Sequence, residues 1–286
     1  MEANNTISSK ELWDKSLSII TSYDIQEKAA ILNRYFSEIL DISPTQRLAN
    51  INIHWNEDRN NQWAEVIQRI NAHEPIQHII GYTYFLDHKI YVNSNTLIPR
   101  PETEEIVHGI IQQLPINETK KIIDICSGSG CIAISLAKHF TKAQVTAIEI
   151  SSKALEVAKR NANENRASVL WMEDDFLDRS RDYDIYDLIV SNPPYIPEEE
   201  LNAMDANVTQ YEPHLALFVP NDNALVFYKE LAEFATNHLT PNGYLYAEIH
   251  YNKGDELVSL FNTYRFSSVR IEKDLFGRDR TLIIQK

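Results

Sequence analysis

Asp187-Leu188-Ile189-Val190-Ser191-Asn192-Pro193-Pro194-Tyr195 is a short apolar run that ends in a double-proline stop. Leu188, Ile189 and Val190 read as a buried strand. Neither Pro193 nor Pro194 carries a backbone N–H, so the strand cannot continue through them as a central one. Each proline also pushes the residue before it into extended geometry, which leaves Asn192 and Pro193 little freedom. The expected product is a stiff loop at a strand's carboxyl end, where ligands of open α/β sheets bind.

That loop offers one amide side chain, several carbonyls and an aromatic ring. An asparagine oxygen and a fixed carbonyl are both acceptors, and together they suit a planar NH2 group. Tyr195 is then expected to cover the flat face of whatever carries that group. A Pro-Pro pair alone would be an ordinary turn. Asn before it and an aromatic after it, behind a buried strand, favour the binding loop.

Upstream, Ile122-Ile123-Asp124-Ile125-Cys126-Ser127-Gly128-Ser129-Gly130 is a strand entering a Gly/Ser turn, followed by a helix from Cys131 to Phe140. Such a turn lets a ligand approach the backbone, and the helix start supplies free N–H donors. No Gly-Lys-Ser/Thr follows, so it is not a P-loop, and Cys126 stands where the nicotinamide fingerprint would have its first glycine. A second strand, Val145–Glu149, ends in a carboxylate placed for the two hydroxyls of a ribose. A third, Ser168–Met172, leads to Glu173-Asp174-Asp175-Phe176, where Phe176 could stack on an adenine and an aspartate could accept its exocyclic N–H.

Further strands at Gly243–Ile249, Ser267–Lys273 and Arg280–Gln285 bring the total to seven. Alternating strands and helices predict an α/β fold, a doubly wound, mostly parallel sheet with an antiparallel final pair. Residues 1–75 read instead as four or five short helices. Asp24 and Glu27 form a capping box, and Ser43-Pro44 is a second start signal. The apolar stripes of Ile31, Leu32, Tyr35, Phe36, Ile39 and Leu40, and of Trp63, Val66, Ile67 and Ile70, are read as core, in a domain that grips a partner. Residues 76–95 read as a β-hairpin linker, with strands Tyr82–Phe85 and Lys89–Val92 joined around Asp87-His88. Residues 96–286 form the remaining domain, opened by the proline-braced Leu97-Ile98-Pro99-Arg100-Pro101-Glu102-Thr103-Glu104-Glu105. Arg100, between two prolines, is a candidate substrate contact.

The chain has 41 Asp and Glu against 27 Lys and Arg, a net charge of −14. That sign disfavours a phosphate-neutralising nucleic-acid partner and points to a protein or small molecule. No early signal-type segment and no run of membrane-spanning length is present, so no membrane partner is expected. With only Cys126 and Cys131 there is no disulfide framework, and the expectation is a cytoplasmic monomer. No cysteine or histidine spacing suits a metal, and no G-x-S-x-G elbow is present.

The assembled residues resemble the class I S-adenosylmethionine-dependent methyltransferases, with their N-P-P-Y motif and seven-stranded Rossmann-like sheet. More narrowly they resemble the release factor glutamine methyltransferase family (PrmC/HemK). The likeness runs from about Arg69 to Lys286 and rests on Pro75–Gly81, Leu97–Glu104, Asp124–Gly130, Asn192–Tyr195 and Tyr211-Glu212-Pro213. The Ile98–Thr103 wording is its most specific part. It departs from the family at Cys126 and at His250, where glycine is frequent.

The resemblance implies N5-methylation of the glutamine in the Gly-Gly-Gln motif of class-1 peptide chain release factors, a modification serving translation termination. It implies S-adenosylmethionine held by Cys126, Ser127, Gly128, Ser129, Gly130 and Glu149, with Asp175 or Phe176 beside the adenine. Asn192, Pro193, Pro194 and Tyr195 would hold the glutamine and form the catalytic loop. Rival expectations are a glutamine methyltransferase of a large-subunit ribosomal protein, an adenine-N6 nucleic-acid methyltransferase, and a silent binding module. The first is disfavoured by the Ile98–Thr103 wording, the second by net charge, and the third by retention of both the turn and the Asn192 loop.

Overall fold

Seven strands with apolar residues on both faces cannot leave either face to water, and the chain's helices cover both. The computed structural model describes residues 6–117, 120–178 and 182–286. Contacts divide it into a helical unit, through Gly81 together with Asp205–Tyr211, and a sheet unit of Tyr82–Met204 and Glu212–Lys286.

The helical unit begins with β1 (Thr6–Ser8), α1 (Ser9–Ile19), α2 (Ile25–Glu38), α3 (Pro44–Leu48), β2 (Asn52–His54), α4 (Glu57–Asn71) and α5 (Ile76–Ile80). Strands β1 and β2, too short to show in the sequence pattern, pair antiparallel. Start signals act as expected: Asp24 and Glu27 close a capping box on α2, and Ser43 with Gln46 does so on α3. Leu32, Tyr35, Phe36, Trp63, Ile67 and Ile70 are buried together. Ile39 is a correction, because α2 ends at Glu38 and its side chain is 45% exposed. Trp63 Nε1 donates to Ser16 Oγ at 2.9 Å, and that hydroxyl donates to Leu12 O at 2.7 Å, so the buried indole is satisfied.

The sheet unit opens with the hairpin β3 (Tyr82–Phe85) and β4 (His88–Tyr91), in which Phe85 faces His88. Its turn is Leu86-Asp87, both at positive φ, one residue earlier than expected. Then follow α6 (Pro101–Gln113), β5 (Lys121–Ile125), α7 (Cys131–His139), β6 (Gln144–Glu149), α8 (Ser152–Asn165), β7 (Leu170–Glu173) and β8 (Tyr186–Ser191). After β9 (Ile196–Pro197) comes α9 (Ala206–Tyr211), which groups with the helical unit, and then β10 (Phe218–Val219). The chain ends with α10 (Val226–His238), β11 (Leu239–Glu248), α11 (Gly254–Phe261), β12 (Ser268–Lys273) and β13 (Asp279–Gln285).

The large sheet has the order β12-β13-β11-β8-β5-β6-β7. All neighbours are parallel except those of β13, which inserts antiparallel between β11 and β12. Alternate residues of one strand face opposite ways. Ile122, Leu188, Val190 and Tyr246 therefore join one core layer, and Ile123, Ile125, Ile189, Leu245 and Ala247 join the other. From β5 the chain builds outward through β6 and β7, then returns to β8 on β5's other side. The carboxyl ends of β5 and β8 thus form a switch point, where the sheet opens a crevice.

The hairpin is bonded to α8 of the sheet unit. Asn161 of α8 accepts from Tyr91 N–H at 2.8 Å and donates to Tyr91 O at 3.0 Å and Ser129 O at 2.9 Å. Asn165 adds a bond to Lys89 O at 2.8 Å. One fully buried amide therefore ties the hairpin to the turn after β5. Asn161→Ala should strand those backbone groups and lower the unfolding free energy by roughly 2–3 kcal/mol, read from urea melts.

Candidate functional site

The turn after β5 is shaped by backbone that most residues avoid. Cys126, Gly128 and Gly130 have φ of 63°, 53° and 81°. Gly130 is required twice over, since a Cβ there would stand 2.6 Å from Trp171 Cη2. Gly128 has open space where a side chain would stand. Cys126 adopts the left-handed conformation without being glycine, a local cost at the position flagged as a departure. Burial pushes its thiol well above the ordinary value, which favours the neutral sulfhydryl.

Glu149, at the end of β6, accepts Gly128 N–H at 2.8 Å through one oxygen and Ser151 N–H at 2.9 Å through the other. Its carboxylate so fixes the turn and still has lone pairs for further donors. Burial raises its pKa, opposed by those N–H groups. Beneath the turn, Asp124 Oδ2 accepts Ala133 N–H at 3.0 Å.

Across the switch point, Ser191 Oγ donates to Ile125 O at 2.8 Å and pins the end of β8 to β5. Asn192 follows, and its Nδ2 donates to Thr103 Oγ1 at 3.2 Å. Thr103 in turn donates to Glu248 Oε2 at 2.6 Å, and Tyr195 OH donates to Glu248 Oε1 at 3.0 Å. Two of the sequence motifs meet nearby. Glu212, of Tyr211-Glu212-Pro213, accepts Arg100 Nη2 at 2.5 Å and Ile98 N–H at 2.8 Å. That carboxylate's side chain is 1% exposed, so its partners hold it in a fixed place.

Several of these groups line one cleft of about 280 Å³. From the turn come Cys126, Ser127, Gly128 and Ser129, and from the next strands Glu149, Asp174, Asp175 and Phe176. Arg100, Thr103, Asn192 and Pro194 form another part of its wall. Phe176 is buried, edge-on to Phe234. Gly130, Pro193 and Tyr195 are not among the lining residues. The half-buried Tyr195 ring packs against the core under the sheet, and its hydroxyl donates to Glu248. Sequence reading missed Thr103, Glu212 and Glu248 as working parts. No spacing announces them, since Asn192 and Thr103 lie 89 residues apart and Thr103 and Glu248 lie 145 apart.

The cleft at the switch point, with a Gly/Ser turn on one side and an amide on the other, and the seven-stranded sheet that carries it agree with a Rossmann-like methyltransferase fold. The Methyltransferase small domain family model matches residues 107–216, and the PrmC N-terminal domain model matches residues 16–81. A solved methyltransferase from Pyrococcus furiosus aligns with a TM-score of 0.52 at 19% identity, over 79% of this chain and 98% of that one. The T. thermophilus 16S rRNA N2 methyltransferase RsmC, solved with AdoMet and guanosine, aligns at a TM-score of 0.50 and 14% identity, over 72% and 49%. A release factor glutamine methyltransferase of Flavobacterium psychrophilum is 42% identical over 272 residues, 93% of either chain. The chain belongs to the release factor glutamine methyltransferase family, enzymes that methylate glutamine in release factors.

Asp124 gives the site a pH signature. Burial raises its carboxyl from 3.8 to about 8, against the opposing Ala133 N–H. A raised pKa means that its stabilising contribution is full below about 3.8 and is lost as pH rises toward about 8. Asp124→Asn keeps an acceptor for Ala133 without titrating. Its melting temperature should therefore change less than that of the wild type across this window, as followed by thermal denaturation.

Proposed function

We propose that this enzyme uses S-adenosylmethionine to methylate N5 of the glutamine in the Gly-Gly-Gln motif of class-1 release factors. The observation that carries the reading is the orientation of Asn192. Its NH2 is engaged by Thr103, so Oδ1 is the end left to receive a donor in the cleft.

The cleft residues fit the cofactor. Ser127 Oγ is buried and has no protein partner among the described residues, and Gly128 leaves open space beside it. Cys126–Gly130 would present backbone to the cofactor, Glu149 would accept its ribose hydroxyls, and Asp175 or Phe176 would flank its adenine. When bound, the cofactor supplies an electrophilic methyl group on a sulfonium.

The protein's part is dictated by the weakness of an amide nucleophile, whose lone pair is delocalised into its carbonyl. Asn192 Oδ1 and a carbonyl of Pro193 or Pro194 would accept both hydrogens of the substrate amide. Those acceptors fix the nitrogen's direction and stabilise the positive charge developing on it. No strong base is then needed before transfer, because the surplus proton can leave afterwards. A glutamate side chain brings no donors and would face two acceptors, a mismatch that such sites can reject by roughly 10⁴-fold.

Two measurements test this. Label from S-adenosylmethionine should pass to a purified release factor and not to its Gly-Gly-Gln→Gly-Gly-Ala variant. Label in both would move the acceptor elsewhere. Asn192→Ala should reduce kcat about 100-fold or more, with cofactor affinity little changed. Near-normal turnover would remove Asn192 from the chemistry.

A further inference from the structure

An asparagine amide fits its surroundings in two orientations that differ by a half-turn, and only one presents an acceptor to the cleft. We propose that Thr103 and Glu248 are positioning residues that fix Asn192 in the acceptor-presenting orientation. This rests on the reading that Asn192 Oδ1 receives the substrate amide.

A threonine hydroxyl has one proton. Here that proton is committed to Glu248 Oε2, 2.6 Å away. The other carboxylate oxygen accepts from Tyr195 OH, so both oxygens face hydroxyl donors, the arrangement of an ionised carboxylate. Glu248 is 2% exposed, so bulk water has little access to compete for it. Toward Asn192, therefore, the Thr103 oxygen has only lone pairs to offer. It can accept Nδ2–H at 3.2 Å, and it would repel Oδ1.

Three elements are needed to build this relay. Thr103 sits in the first turn of α6, Glu248 ends β11, and Asn192 follows β8. β8 and β11 are parallel neighbours, with Ala247 beside Ser191, so the sheet brings Glu248 and Asn192 to one edge. Tyr228 OH donates to the Glu248 backbone carbonyl at 2.8 Å and holds that strand end in place.

The decisive comparison is Thr103→Val, which keeps the shape and removes the hydroxyl, beside Thr103→Ser. Freed of its acceptor, Asn192 can turn its NH2 into the cleft, which suits a carboxylate. In Thr103→Val, kcat for a release factor should fall at least tenfold, with the cofactor dissociation constant within about twofold by calorimetry. A release factor carrying Gly-Gly-Glu, which cannot be methylated on nitrogen, should become about tenfold more potent as an inhibitor relative to its effect on the wild type. Thr103→Ser should recover most of both changes. A merely structural role would lower stability without moving the preference between Gln and Glu. Unchanged preference in a folded Thr103→Val or Thr103→Ala enzyme would overturn the proposal. Asn192→Ala, run alongside, separates the two readings. If it turns over normally, the premise fails; if it collapses while Thr103→Val matches the wild type, only the relay fails.

Discussion

A carboxylate with almost no access to water must be met by donors from the protein, and Glu248 is the one around which this edge of the sheet is assembled. Hydroxyls from α6 and from the Asn192 loop converge on it, and Arg280 of β13 lowers the cost of its charge. Burial pushes its pKa up while those partners pull it down. Removing any donor would leave charge unmatched in the interior, where it costs several kcal/mol. The elements that supply the partners are thus held in mutual register by a single side chain.

Glu149 plays the corresponding part on the other side of the crevice. It fastens Gly128 to the start of the next segment, so that the Gly/Ser turn is rigid before any ligand arrives. Glu212 does the same between the proline-braced loop and the segment following the Asn192 motif. The walls of the cleft are therefore stiffened by acids that are short of water.

Much of this was legible in the sequence because it depends on local rules. Capping pairs, apolar runs and the Pro-Pro stop each report on their own neighbourhood, and together they delivered the helices, the seven strands and the loop carrying Asn192. What stayed hidden depends on distance in the chain. The sequence motifs containing Arg100 and Glu212 could be seen, but not that they bind each other across 112 residues. Nor could Thr103, a common helix-start residue, be told from a relay to Asn192. Nor does any local rule tell that the Tyr195 hydroxyl bonds Glu248, 53 residues away.

Asp205–Tyr211 belongs to the helical unit although it lies in sequence between the Asn192 loop and Glu212. The Tyr211 hydroxyl is bonded there to the Ala72 carbonyl at 2.7 Å. A chain made from its amino terminus folds its leading helices first. This unit cannot be finished that way. Its last helix leaves the ribosome only after β5 through β8 and the Asn192 loop have been synthesised, so completion of the amino-terminal unit waits on most of the sheet.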